Sequence, residues 1–268
     1  MSTRHQRPGD VPFTHRTPRV VAARRLTRRS VRAETGRFLA EGAQAVREAL
    51  RYGTVHELYV TEDAARRHPE LVAEAPLVSL VNDRAAELLS ETVTPQGIVA
   101  VCDTVTIDVA AALSGAPRLV AVLVDIADPG NAGTVLRVAD AAGADAVIFA
   151  GRCVDVHNGK CVRAATGSLF HLPVAAEPDV DRVLEACGRV GLTTVAAHGY
   201  AEADLATADG LDRPTAWFFG NEAHGLGDEV LAACDSAVRV PLYGKAESLN
   251  LATAAAVCLY ASAVRHHS

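Results

Sequence analysis

The chain has 268 residues, 49% of them apolar and 22% charged, with six cysteines and a formal net charge of −6 at pH 7. That length and apolar content can bury the cores of two ordinary domains without disulfide staples, which excludes a disordered polypeptide. No run approaches the roughly 18 to 20 consecutive apolar residues that a membrane-spanning helix needs.

The cysteines form neither a CxxC pair nor a Cys/His cluster at zinc spacing, so they read as buried free thiols and no metal is expected. Charges stand where a secretory signal would need an apolar core, and a cytoplasmic protein is expected. Charge is unevenly spread. Ten arginines (Arg4, Arg7, Arg16, Arg19, Arg24, Arg25, Arg28, Arg29, Arg32, Arg37) face only Asp10 and Glu34 within residues 1–37, a segment near +8 that leaves the remainder near −14. A basic arm on an acidic body can hold a polyanion such as RNA, because each arginine placed on a phosphate releases counterions. The alternative is a solvated tail whose charge only aids solubility.

In chain order, Pro8, Gly9, Pro12 and Pro18 among polar neighbours predict a flexible basic arm over 1–17. Val20, Val21, Leu26 and Val31 among arginines predict a basic amphipathic helix from Arg19 to about Arg32. A small α/β unit follows to about residue 103: strand RFLAE, helix 43–51, strand HELYVT, a short helix near Asp63, strand PLVSLV, helix 83–90 and strand GIVAVCD. Weak periodicity marks 104–117 as a linker. A second series fills 118–268, with strands at 119–125, AVIFA, TTVAA, AWFFG and AVRVP, and helices at 132–142, 161–168, 180–190, near Asp228 and at 248–266. Its strands are continuous apolar runs, as in a parallel sheet covered on both faces. The closing helix, SLNLATAAAVCLYASAV, is apolar on nearly every side, which predicts burial all round, against its own sheet and a second subunit.

Three stretches carry polar residues at strand ends. In DPGNAGTVLR (128–137), Pro129 and Gly130 turn the chain, Asn131 stands where a helix N-cap belongs, and Arg137 follows within the helix. Arg137 has two readings, a structural partner for a carboxylate or a guanidinium aimed at an anionic ligand. GNEAHGLG (220–227) crowds Asn221, Glu222 and His224 between glycines at the end of an apolar strand, where α/β domains bind ligands. In VPLYGKAESLNLATAAA (240–256), Ser248 and Asn250 precede the last helix, and a simple cap would explain Ser248 alone. No GxGxxG, Walker sequence, HExxH or GxSxG appears.

Taken together and in this order, DPGNAGTVLR, FFGNEAHGL and VPLYGKAESLNLATAAA resemble the three successive motifs of the SpoU/TrmH group of SPOUT RNA methyltransferases. The resemblance covers the chain from about Leu119 to its end; residues 18–103 resemble more loosely the L30e-like RNA substrate-binding domain of that group. What it implies is a smaller L30e-like α/β domain followed by a C-terminal SPOUT parallel-sheet domain with a trefoil knot, a homodimer, and transfer of methyl from S-adenosylmethionine to a ribose 2′-hydroxyl of structured RNA. Residue by residue, Asn131 and Arg137 match the catalytic pair of the first motif. Gly220, Asn221 and Glu222 match the second, whose backbone cradles the cofactor. Val240, Leu242 and Leu249 match positions that enclose it, and Ser248 and Asn250 match the polar pair beside the reacting centre. Ala142, where many relatives carry an aromatic, and the loop LYGKAE depart from the pattern.

In such a reaction the hydroxyl must lie in line with the methyl group, about 3 to 3.5 Å away. A guanidinium stays protonated, so Arg137 is expected to grip phosphate and stabilise developing alkoxide rather than act as a simple base, with Asn131 and Ser248 orienting the hydroxyl. Ribosomal RNA is preferred to transfer RNA because a separate RNA-binding domain suits a structured loop of a large RNA. A catalytically silent RNA-binding or ribosome-assembly protein and a small-molecule nucleotide enzyme are the rival readings.

Overall fold

The computed structural model describes residue 6 and residues 10–268. The chain divides into two compact units, Met1–Val105 with His157–Phe170, and Thr106–Val156 with His171–Ser268.

In the first unit, α1 (Pro18–Arg24) and α2 (Arg29–Thr35) flank a 3-10 turn at Arg25–Thr27, where the sequence predicts one helix. Arg28 takes an extended backbone (φ −91°, ψ 128°) and interrupts the helix. Buried Arg32 then ties the pieces together, its Nη1 donating to the carbonyls of Leu26 and Thr27 at 2.9 Å each. There follow β1 (Arg37–Glu41), α3 (Ala43–Tyr52), β2 (Val55–Val60), α4 (Glu62–Arg67), α5 (Pro69–Glu74), β3 (Val78–Leu80), α6 (Asp83–Leu89) and β4 (Ile98–Asp103). Not expected from the sequence, α5 is started by Pro69 at a helical position that needs no N–H.

These strands form a sheet in the order β1-β4-β2-β3, with β2 and β3 parallel and the other pairs antiparallel. Val20, Ala23 and Leu26 from the N-terminal helices meet Tyr59, Val99, Val101 and the α6 side chains Ala85 and Leu89 in one apolar cluster. Phe13 packs against it, bridges Val81 in parallel and donates its N–H to Leu80 O at 2.7 Å. Phe13, expected within the flexible arm, is therefore held at the β3 edge of the sheet. Residues 1–5 and 7–9 of that arm lie outside the described residues.

The second unit opens with β5 (Thr106–Ile107) and α7 (Val109–Ala112) in the stretch expected as a linker; Asp108 caps α7 by accepting from Ala111 N at 2.8 Å. It continues with β6 (Leu119–Val124), α8 (Pro129–Ala141) and β7 (Ala146–Ala150). Next in the chain, α9 (Gly159–Ala165) belongs instead to the first unit, packing on β1 with Arg163 Nη1 2.7 Å from the Glu41 carboxylate. The second unit resumes with β8 (Val174–Glu177), α10 (Val180–Arg189), β9 (Thr193–Ala197), β10 (Ala203–Asp204), β11 (Thr215–Phe219), α11 (Asp228–Ala233), β12 (Ser236–Arg239) and α12 (Leu251–His266).

Its eight strands run parallel in the order β10-β12-β9-β11-β6-β7-β8-β5. Every residue of β6, β7 and β11 is buried, because helices cover both faces. Val120, Val122, Ala216 and Phe218 point to one face with Val183 and Cys187 of α10. On the other, Trp217 stacks with Phe219 at 6.3 Å and donates its indole N–H to Ser262 Oγ of α12 at 3.0 Å. In the single chain the closing helix is buried on its sheet side, and Val257, Tyr260 and Val264 on its other side are exposed. From β6 the sheet grows through β7 and β8 in one direction and through β11 and β9 in the other. The loops after β6 and β11 thus lie side by side at the point where strand order reverses, the usual ligand crevice of an open parallel sheet.

Candidate active site

The loop after β6 is built around two backbone devices. Asp125 has φ +54°, a left-handed conformation uncommon for a residue with a Cβ, and its carbonyl accepts from Asn221 Nδ2 at 2.7 Å. Three residues on, Asp128 caps α8 by accepting from Asn131 N at 2.8 Å. Asn131 is therefore not the N-cap expected from sequence: the helix starts at Pro129, and Asn131 sits in its first turn with the side chain free to reach outward.

That side chain joins all three motifs. Its Nδ2 donates to Glu222 Oε1 at 3.1 Å, and its Oδ1 accepts from Asn250 Nδ2 at 3.0 Å. Glu222 also accepts from the N–H groups of Ala127 (3.3 Å) and Asp128 (3.2 Å), clamping the β11 loop onto the β6 loop. Burial pushes the Glu222 carboxyl up, but its own backbone N–H, Asn131, Ala127 and Asp128 all favour the carboxylate and hold it below the ordinary value. Asn250 caps α12, its Oδ1 accepting from Ala252 N (2.9 Å) and Thr253 N (3.4 Å). Ser248 does not share in that cap; it is exposed three residues before α12 begins.

Arg137 is exposed on α8, one and a half turns beyond Asn131, and makes no hydrogen bond or ion pair among the described residues. The structural reading of this arginine therefore has no partner to support it. Behind the β6 loop, Cys153 fills space rather than offering a nucleophile: its Sγ donates to Leu123 O and Ala150 O at 3.2 Å, and burial pushes the thiol up to about 11.

At the neighbouring strand ends lies a cavity of about 250 Å³, lined by His198 and Gly199 after β9, Val238 and Arg239 of β12, Val240, Leu242, the segment Glu247–Leu249, and Ala254. It has apolar walls and a polar rim. The structure thus brings Val240, Leu242, Ser248 and Leu249 to one cavity, and Asn131, Glu222 and Asn250 to one hydrogen-bonded chain. Gly220 and Asn221 serve the turn between them. A Cβ on Gly220 would stand 2.2 Å from Gly225 C and Leu226 N, and Asn221 accepts from Ala223 N while its backbone pairs with Gly225.

A family profile described as "SpoU rRNA Methylase family" matches residues 118–260. The chain belongs to the SpoU rRNA methylase family. A second profile, an MRM3-like substrate binding domain, matches residues 17–100 of this SpoU-family chain. Among its relatives, the 23S rRNA (guanosine(2553)-2′-O)-methyltransferase RlmP of Bacillus subtilis is 36% identical over 88% of this chain and 92% of its own length. The 23S rRNA (uridine(2479)-2′-O)-methyltransferase of Streptomyces viridochromogenes is 31% identical over 91% and 93%. An AdoMet-bound rRNA methyltransferase structure from Sinorhizobium meliloti superposes with a TM-score of 0.84 at 29% identity, covering 96% of this chain and 98% of that one.

His198 and Gly199 of the SpoU-family cavity escaped the sequence reading. The signal was there in part: TTVAA is a continuous apolar strand, and the residues just after such a strand sit at the ligand-binding edge. Which of the strand ends would border a cavity depended on sheet order.

Proposed function

We propose that this chain transfers a methyl group from S-adenosylmethionine to a ribose 2′-hydroxyl of ribosomal RNA. The observation that carries the reading is the chain Glu222–Asn131–Asn250, which aligns one residue from each motif and leaves the Arg137 guanidinium without an internal partner. Relatives named as 23S rRNA 2′-O-methyltransferases over nine-tenths of their length support it.

The residues present fit an adenosyl group: the cavity offers apolar faces from Val240, Leu242 and Leu249 and polar edges from His198 and Ser248, and Gly220 lets two backbone segments meet at a distance no side chain allows. When bound, S-adenosylmethionine supplies an electrophilic methyl group on a sulfonium. Arg137 holds the RNA phosphate and stabilises the charge that develops on the 2′-oxygen. Asn131, its amide fixed at both ends, and Ser248 at the cavity rim orient the hydroxyl. Glu222 acts through Asn131 as a positioning group. The exposed face of α12, with Val257, Tyr260 and Val264, is the surface on which a second copy would pack, and the knot implied by the family resemblance belongs to the same reading.

The test is to incubate the protein with radiolabelled S-adenosylmethionine and, separately, unmodified ribosomal and transfer RNAs, then hydrolyse the product in alkali. A 2′-O-methyl group protects its own linkage from cleavage; label in ribosomal RNA with one protected linkage is the expected result. Cofactor binding without labelling of either RNA would favour a silent RNA-binding protein. Sedimentation at a concentration-independent monomer mass would overturn the dimer.

A further inference from the structure

A second and larger cavity, about 650 Å³, lies wholly within the first unit, between the N-terminal helices and the β1-β4-β2 sheet. Its floor is apolar, with Ala23, Leu26, Leu77 and Val101. Arg19, Arg25 and Arg37 line the cavity together with Glu34 and Glu57. Between residues 19 and 37 the chain carries seven arginines against Glu34 alone. Three are accounted for internally: Arg32 is buried on backbone carbonyls, Arg19 pairs with Glu57 at 3.0 Å, and Arg37 pairs with Asp103 at 3.8 Å. By contrast, Arg24, Arg25, Arg28 and Arg29 are exposed, and their side chains form no hydrogen bond or ion pair among the described residues. Of the four, Arg25 lines the cavity, and the 3-10 turn and the break at Arg28 carry Arg24, Arg28 and Arg29 on the same exposed segment. On one wall stands the His56 imidazole, fixed by Asp103 at 2.5 Å and one-third exposed.

We propose that this cleft takes one unpaired nucleotide of the RNA, its base over the apolar floor beside His56 and the flanking phosphates on the Arg24–Arg29 group. The inference rests on the RNA-methyltransfer reading and adds to it where the substrate is gripped. Size and charge decide the class of ligand. A cavity within the roughly 300 to 1,000 Å³ range of ligand pockets accommodates a nucleotide but not a helix. Unpartnered guanidiniums on a chain of net charge −6 call for a polyanion rather than a neutral or cationic partner. Unpaired bases, unlike those inside an A-form duplex, offer their faces and edges to a pocket of this kind.

Fluorescence anisotropy of the full-length protein with a labelled 12-nucleotide single strand of mixed sequence, and with the duplex of the same sequence, tests this across a salt series. Replacing Arg24, Arg25, Arg28 and Arg29 together by Ala is expected to weaken single-strand binding at least about 10-fold. The salt slope should fall by up to about 3, at roughly 0.7 for each phosphate that is no longer neutralised. Ala22→Trp, which fills the cleft from its exposed edge without changing charge, is expected to weaken the single strand about 10-fold and leave the duplex within about 2-fold. Far-UV circular dichroism and an unchanged thermal unfolding midpoint for each variant report that the first unit is intact, and calorimetric binding of S-adenosylmethionine reports the same of the second. If the Ala22→Trp protein binds the single strand as wild type does, or the arginine variant keeps its salt slope, the cleft is not the site. Should the wild type bind S-adenosylmethionine but neither RNA, the methyltransfer reading falls as well; if both variants bind RNA normally and label it, only the cleft inference falls.

Discussion

Asn250 donates to Asn131 across 3.0 Å of space and 119 residues of chain, so the cap of the last helix is also the support of a side chain in the first turn of α8. One amide is held by a carboxylate on one side and by a second amide on the other. Asn131→Ala removes both hydrogen bonds while leaving the Asp128 cap in place. We expect kcat to fall about 100- to 1,000-fold with S-adenosylmethionine affinity little changed, the size seen when a preorganised polar group is removed from a reacting centre. Single-turnover methylation combined with calorimetry separates the two.

Arg137→Ala should divide activity from stability. An exposed side chain with no partner contributes at most about 0.5 kcal/mol to folding, so the unfolding midpoint should hold. Turnover on saturating RNA should drop at least about 100-fold, and Arg137→Lys, which keeps charge but loses the planar fork, should recover only part of it. Near-normal turnover in the Ala variant would remove Arg137 from the mechanism.

Glu222 makes a prediction in pH. Its folded carboxyl is held below the ordinary value, so the stabilisation it brings is fully present above the unfolded pKa of about 4.3 and disappears as pH falls through the lower folded value. Thermal midpoints of wild type and Glu222→Gln should therefore differ most above about pH 5 and converge toward about pH 3. Parallel curves across that window would show that the clamp on Ala127 and Asp128 does not depend on the charge.

Gly220→Ala is expected to be severe, because the added methyl meets Gly225 C and Leu226 N, which are backbone and cannot rotate away. Destabilisation of about 1 to 3 kcal/mol or more, with loss of S-adenosylmethionine binding, is the expected outcome of denaturant titration and calorimetry. Gly227→Ala, where a Cβ meets nothing within 4 Å, is the matched control and should be mild.

Ser262→Ala tests the core behind the site. It strips the fully buried Trp217 indole N–H of its acceptor, and an unsatisfied buried donor costs about 1 to 3 kcal/mol. Tryptophan emission should report the change directly, since Trp217 is the only tryptophan of the chain.

By itself the sequence determined the parts that depend on local pattern. Continuous apolar runs marked β6, β7 and β11 as strands buried on both faces, and the spacing of DPGNAGTVLR, GNEAHGLG and VPLYGKAESLNLATAAA placed their polar residues at strand ends before the sheet order was known. Where the local signal was short or mixed, it failed. β8 and β10 are too brief to show a period, Arg28 broke a helix whose apolar spacing looked continuous, and Asp128 took the cap expected of Asn131 because Pro129 starts the helix earlier. Only the tertiary structure decided which side chains meet. Parallel strands bring together loops that lie nearly a hundred residues apart, so the Glu222–Asn131–Asn250 chain and the His198 edge of the cavity follow from strand order and helix placement. The same holds for the arginines: their number is a property of the sequence, but which are spent on the fold, as Arg32 is, and which stand free, as Arg25 does, was settled by packing.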